Sequence, residues 1–177
     1  MNTINLFSHT NDFGRQISLF KFRLKDRFVY MKVENHFLGE RELGGSDKVI
    51  IINSKKFLEL WKNDPRNSES HLALGNETTW RNDYKFHRAE KGFSFGISNP
   101  VPLAYVHCYF SDVQIPYCSF TDGITRTIWL LANGAECFPV MTDIQSYDLL
   151  LLHAGINESE KIIKGFRVHT TEQLGAG

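Results

Sequence analysis

The residues best suited to chemistry are Asp122, Gly123, Thr125 and Arg126, within IPYCSFTDGITRTIWLLANGAECFPVM from Ile115 to Met141. That run reads as strand, sharp turn, helix, strand. Gly123 has no Cβ, so the backbone can turn sharply there. A helix opening behind it, with Ile124, Ile128 and Leu131 on its apolar face, points unpaired N–H groups and the positive end of its dipole above the turn. Such a space suits an anion, phosphate above all. The expected phosphate ligands are the start of the helix at Gly123 and Ile124, the Thr125 hydroxyl and the Arg126 fork. Asp122 can hold a divalent cation, accept a proton or cap the helix. With Arg126 it is the leading catalytic candidate. Glu136 is the second carboxylate of the unit. A ten-residue helix is about 15 Å long, which places Glu136 at the far end from the turn and makes it a second-tier candidate. Asn133-Gly134 closes the helix.

The surrounding elements can be read in outline. Residues 1–16 lack a clear period and are expected to form a flexible arm or an edge element. Phe20, Phe22 and Leu24 alternate with Lys21, Arg23 and Lys25, the period of a strand with a basic face. Strands follow over 28–34 and 48–52, with a loop at 43–46 between them. Asn53-Ser54 caps a helix with Phe57, Leu58 and Trp61 inward. Residues 65–76 read as a polar loop. A single helix is expected over 77–91, with Arg81, Lys85 and Arg88 forming a basic stripe beside Trp80. That surface could grip a nucleic-acid backbone, with Trp80 stacking on bases. The alternative is a helix whose aromatics are core and whose Arg and Lys are solvated or paired with Asp83 and Glu90. Loop signals at 92–96 and 98–100 surround an expected short strand, and further strands are expected over 101–110, 115–120 and 137–141. A last helix, capped by Thr142 or Asp143, should face Ile144, Tyr147, Leu151 and Leu152 inward and end at Gly155. A closing strand is expected over 161–168, ahead of a frayed tail. His107, on an apolar strand, reads as a hydrogen-bonded core residue with no HxH or HxxxH partner for a metal.

Composition excludes several classes. Lys+Arg and Asp+Glu both number 20, so the net charge is zero and any nucleic-acid binding needs a local patch. Hydrophobic residues make up 42%, including 14 Phe, enough for a core, so the chain is not disordered. Cys108, Cys118 and Cys137 form no CxxC, which argues against a zinc site and against a disulfide framework, and an odd count fits a reducing, cytoplasmic setting. No signal peptide is expected, and apolar runs such as Leu149 to Leu152 are too short to span a bilayer. The expectation is one domain over 1–177, without membrane insertion.

The segments TWRNDYKFHRAEKGFSFGISNPVPLAYV and FTDGITRTIWLLANGAECFPV together resemble plasmid fertility-inhibition factors of the Osa/FiwA type, within the ParB/sulfiredoxin superfamily. The resemblance runs from Thr79 to Gly155. In the superfamily a strand ends in Asp-Gly-x-His-Arg, and a helix and a Gly turn lead to a strand ending in Pro-Val. Here those positions are Asp122, Gly123, Thr125, Arg126, Ala132, Gly134, Pro139 and Val140. The resemblance implies an α/β (α+β) fold, a mixed sheet with flanking helices. It implies ATP and Mg²⁺ as cofactors, cleavage of DNA, and a block on the transfer of rival plasmid DNA through conjugative (type IV) secretion. Two departures matter. Ile124 stands where sulfiredoxins carry a catalytic Cys, which argues against sulfinic-acid reduction. Thr125 replaces the superfamily His, so proton transfer must fall to Asp122, another carboxylate or a metal-bound water. Two alternatives stay open: a non-catalytic inhibitor docked on the coupling ATPase of the conjugation machinery, and a plain nucleotide-binding module.

Overall fold

A computed structural model describes residues 4–33, 47–66, 69–159 and 161–162. The expected loop over 43–46 and the frayed tail lie outside them. So does the closing strand over 161–168, apart from 161 and 162, which are helical. Eight strands and six longer helices are defined among the described residues. They are β1 Ile4–Thr10, β2 Gln16–Arg23, β3 Phe28–Lys32, β4 Asp47–Asn53, α1 Ser54–Lys62, α2 Ser70–Ala73, α3 Glu77–Arg81, α4 Phe86–Ser94, β5 Val101–Pro102, β6 Ala104–Phe110, β7 Pro116–Asp122, α5 Ile124–Ala132, β8 Cys137–Asp143 and α6 Ile144–Ala154.

The strands form two mixed sheets, ordered β1-β2-β3-β5 and β4-β8-β6-β7. In the first, only β3 and β5 run parallel, through Met31–Val101 and Lys32–Pro102. In the second, β8 is antiparallel to β4 and parallel to β6. The mixed α+β fold with flanking helices is as expected. The N-terminal stretch is the edge strand β1, paired with β2 from Ile4–Phe22 to Thr10–Gln16. Phe20, Phe22 and Leu24 are buried, as their period-two spacing requires.

One core joins both sheets. Asn53 caps α1 by accepting from the Lys56 amide at 3.1 Å. Phe57 and Trp61 on α1 meet Phe120 edge-on, ring centres 5.6 and 5.0 Å away, while Leu60 is more buried than Leu58. Asp143, not Thr142, caps α6, accepting from the Ser146 amide at 2.7 Å. The inward face of α6 is centred on Leu150; Ile144 and Leu152 are exposed, against expectation. An unbroken Leu run carries no phase, so its periodicity could not choose between them.

The expected helix over 77–91 is two helices. The Asp83 side chain accepts from the Lys85 amide at 2.9 Å, and Asn82 terminates α3. Such local Asx bonding competes with helical pairing and breaks the helix. A short helix, α2, also sits inside the expected 65–76 loop, and α4 runs through Gly92 to Ser94, where loop signals and a short strand were expected. At Leu103 the chain passes from one sheet to the other, with β5 ending at Pro102 and β6 starting at Ala104. No helix among the described residues is long and apolar enough to cross a membrane.

Candidate functional site

Gly123 sits at the N-cap of α5 with φ of 104°, a left-handed conformation. A Cβ built there would lie 2.5 Å from the Ala104 Cβ and 2.7 Å from its Cα. Glycine is therefore required twice, by its dihedral and by the approach of β6. α5 has no side-chain cap at this end, so its first N–H groups face outward over the turn.

Arg126, one turn into α5, folds back. Its Nη1 donates to the Pro102 and Leu103 carbonyls at 3.0 and 2.9 Å, and its Nη2 to Asp122 Oδ2 at 2.5 Å. The Arg126 side chain is 16% exposed and that of Asp122 70%. Much of the guanidinium fork is thus engaged by the protein. Among the described residues, Nε–H and one Nη2–H remain for a ligand.

The break between α3 and α4 redistributes the expected basic stripe. Lys85 and Arg88 turn toward the Asp122–Arg126 turn, and with Lys32 and Thr125 they line a cavity of about 660 Å³. Phe95, 45% exposed, also lines it. This volume lies in the range of small-ligand pockets. Among the described residues that line it, Lys32, Lys85, Arg88 and Arg126 are cationic and Asp122 is the carboxylate, a lining that suits an anion despite the neutral chain.

The other two members of the stripe do not reach the cavity. Trp80 is buried and donates its indole N–H to the Leu72 carbonyl at 2.8 Å, so it offers no face for base stacking. Arg81 stays on α3, paired with Glu77 and donating to the Ala132 carbonyl at 3.0 Å, at the C-terminal end of α5. Glu136 lines a separate cavity with Ser54, Lys55 and Gly134, away from the turn. Ile124 lines a third cavity, with Trp61 and Tyr117, and is absent from the lining of the basic one. Phe95 and Lys32 were missed by the sequence reading. The aromatic at a loop of small residues, FSFG, was the available signal for Phe95; for Lys32, far along the chain from the cavity's other strand residues, Val101, Pro102 and Asp122, there was none.

The cavity can be tested against the cofactors that the resemblance implies. Mg²⁺ is commonly held by one or two carboxylates together with substrate phosphates. Asp122 can supply the first. No group of three or more His, Cys, Asp or Glu among the described residues could hold a metal. The side chains therefore fit an ion that arrives with the phosphates, not one held by protein alone.

His107 is part of a polar network on the β6–β7–β8 face that includes Thr121, the residue before Asp122. Its Nδ1 is hydrogen-bonded to Asp143 Oδ2, and its Nε2 lies 2.7 Å from Thr121 Oγ1. The hydrogen bonding expected of His107 is present, but its side chain is 25% exposed, so it is not a core residue. Burial opposes ionisation of Asp143, but the Ser146 amide and then His107 outweigh it, and the carboxyl sits below its ordinary value. Tyr105, also on this face, donates to Asp47 Oδ1 at 2.7 Å; burial, then that carboxylate, push its phenol well up.

Two mixed sheets with flanking helices, and a strand–Gly–helix turn beneath a basic cavity, define an α+β protein of the architecture seen in a solved structure described as Oncogenic Suppression Activity Protein, a plasmid fertility inhibition factor, in a gold(I) cyanide derivative. The two superpose with a TM-score of 0.68 at 24% identity, over 88% of this chain and 76% of that one. The family described as plasmid fertility inhibition factor matches residues 49–155, more than half of the chain. The protein named Protein osa from Shigella flexneri is 32% identical over 138 residues, covering 71% of this chain and 67% of the relative. The chain belongs to the plasmid fertility inhibition factor family.

Proposed function

We propose that this chain blocks conjugative transfer of rival plasmid DNA by holding nucleotide and DNA phosphates in the cavity between α4 and α5 and cleaving DNA phosphodiesters there. The observation that carries this reading is the convergence of Lys85 and Arg88 with Thr125 and Arg126 around Asp122. Lys85 and Arg88 draw the phosphates in; Thr125 and the first N–H groups of α5 orient them. Phe95 offers a ring for a base to stack on. ATP and Mg²⁺ are the proposed cofactors. When bound, Mg²⁺ would neutralise developing phosphate charge, with Asp122 as its protein ligand.

The test pairs binding with turnover. Fluorescent ATP and single- and double-stranded DNA are titrated, with and without Mg²⁺, into wild type and the double variant Lys85→Ala/Arg88→Ala. Loss of two phosphate contacts should weaken binding at least tenfold at low salt. Equal affinities would remove the cavity from the account. Turnover of ATP and DNA by wild type completes the enzymatic reading. Absence of both, with transfer still blocked in cells, would sink it.

A second reading is favoured by a specific observation. Phe110, Val113 and Ile115 are exposed together around the β6–β7 hairpin, which suits docking on a protein such as the conjugation coupling ATPase. Charged substitutions at Val113 and Ile115 that abolish inhibition in cells while preserving ATP and DNA turnover would select it.

A further inference from the structure

The Asp-Gly-Ile-Thr-Arg turn lacks an imidazole of its own, yet the structure brings one beside it from the neighbouring strand. Asp143 accepts from His107 Nδ1, so in the neutral imidazole Nε2 is the acceptor, and Nε2 is 2.7 Å from the Thr121 hydroxyl. The imidazole is held between Tyr105 and Tyr109, with ring centres 5.2 and 5.8 Å away. Asp143 is itself fixed as the cap of α6. A hydroxyl, a base and a carboxylate that orients the base form the signature of an activated nucleophile.

The register of β7 aims this group. Val106 pairs with Phe120 but Tyr105 pairs with Asp122, so Thr121 is an extra residue in the ladder. Bulges of this kind redirect side chains and recur beside active sites. Directly opposed residues share a face of the sheet. Asp122, opposite Tyr105, is therefore turned to the face that carries His107, to which Thr121 is bonded. Consecutive residues thus hold the hydroxyl and the rim of the basic cavity. Thr121 is exposed, so a substrate can reach it.

We propose that Thr121 is a nucleophile for phosphoryl transfer, with His107 as its base and Asp143 as the residue that positions His107. The Thr121 oxygen attacks phosphorus as its proton passes to His107 Nε2. An Oγ–P bond forms and the P–O bond to the leaving group breaks; that oxygen takes the proton from His107. Water then attacks the phosphorylated Thr121, giving a proton to His107, and the Oγ–P bond breaks, with the proton restored to Thr121. Because Thr121 occupies Nε2, the hydroxyl and not a water is the group the imidazole is placed to activate. The substrate class, a phosphate ester or anhydride, rests on the cavity reading above; the triad stands on its own geometry.

The full chain is treated with a biotinylated fluorophosphonate, and the adduct is mapped by peptide mass spectrometry. Thr121 attacks this probe with loss of fluoride, whether or not the cavity binds phosphate. Wild type and Thr121→Ser should be labelled at position 121, Thr121→Val should not, and His107→Gln should react at least tenfold more slowly. Circular dichroism melts confirm that each variant is folded. No labelling at Thr121 in wild type, or equal rates in folded His107→Gln, overturns the proposal. Labelling at Thr121 combined with unchanged ATP and DNA affinity in Lys85→Ala/Arg88→Ala would sustain the triad while removing the cavity.

Discussion

The two ends of α5 are built in opposite ways. At its C-terminus the last carbonyls are paired within the protein. Gly134, at φ of 75°, donates to the Leu131 carbonyl and Ala135 to that of Leu130, the paired bonds of a Schellman turn. Arg81 adds a cation on the Ala132 carbonyl, where the helix dipole is negative. At its N-terminus there is no side-chain cap; Gly123 packs against Ala104 and a basic cavity opens above. One helix thus has an end sealed for stability and an end whose donors are left to face a cavity. Both ends use a glycine with positive φ, and the surroundings alone distinguish them.

The sharpest way to break this contrast is a matched pair of substitutions. Gly123→Ala should destabilise by about 3 kcal/mol or more, because left-handed strain adds to a clash with the main chain of Ala104. Gly134→Ala meets only the flexible end of Lys25, 2.9 Å away, and should cost about 1 kcal/mol. Urea titrations compare them; equal costs would mean the tight approach to β6 is unimportant. Arg126→Ala should follow at about 2 kcal/mol, since it strips partners from two carbonyls in a part-buried setting. Lys85→Ala and Arg88→Ala should leave stability within about 0.5 kcal/mol of wild type. Each should reduce the slope of log affinity for DNA against log salt by about 1. The smallest effect belongs to acid. The folded Asp143 carboxyl lies below its unfolded value, so its contribution is complete above the ordinary carboxylate range and lost as pH falls through the folded value. Asp143→Asn should flatten that part of the acid unfolding curve, followed by circular dichroism.

Legibility tracked how local each cause was. The glycine turn at Gly123, the closure at Asn133-Gly134 and the cap at Asn53 have local signals and could be read from the chain, while the cap of α6 could be narrowed only to Thr142 or Asp143. Strand β2 was readable because its two faces differ. The break at Asn82-Asp83 was local too, yet a helical stripe of Arg and Lys obscured it. Missing it misplaced Trp80 and Arg81, while Lys85 and Arg88 went to the cavity. Pairings across strands were beyond reach. Cys108 and Cys118 are direct neighbours in the β6–β7 ladder, and His107 meets an Asp 36 residues away. Only register brings such residues together, and register depends on the whole sheet.

Leu103 carries a consequence of its own. Its N–H donates to the Lys32 carbonyl at 3.0 Å, in the first sheet, and its carbonyl accepts from Arg126 at 2.9 Å, beside the second. Leu103 is thus a rivet where the chain crosses between the sheets. Shear of one sheet over the other has to pull this rivet. Hydrogen exchange at the Leu103 amide should therefore proceed only through global unfolding in wild type, and through a cheaper, local sliding motion once Arg126 is replaced by Ala.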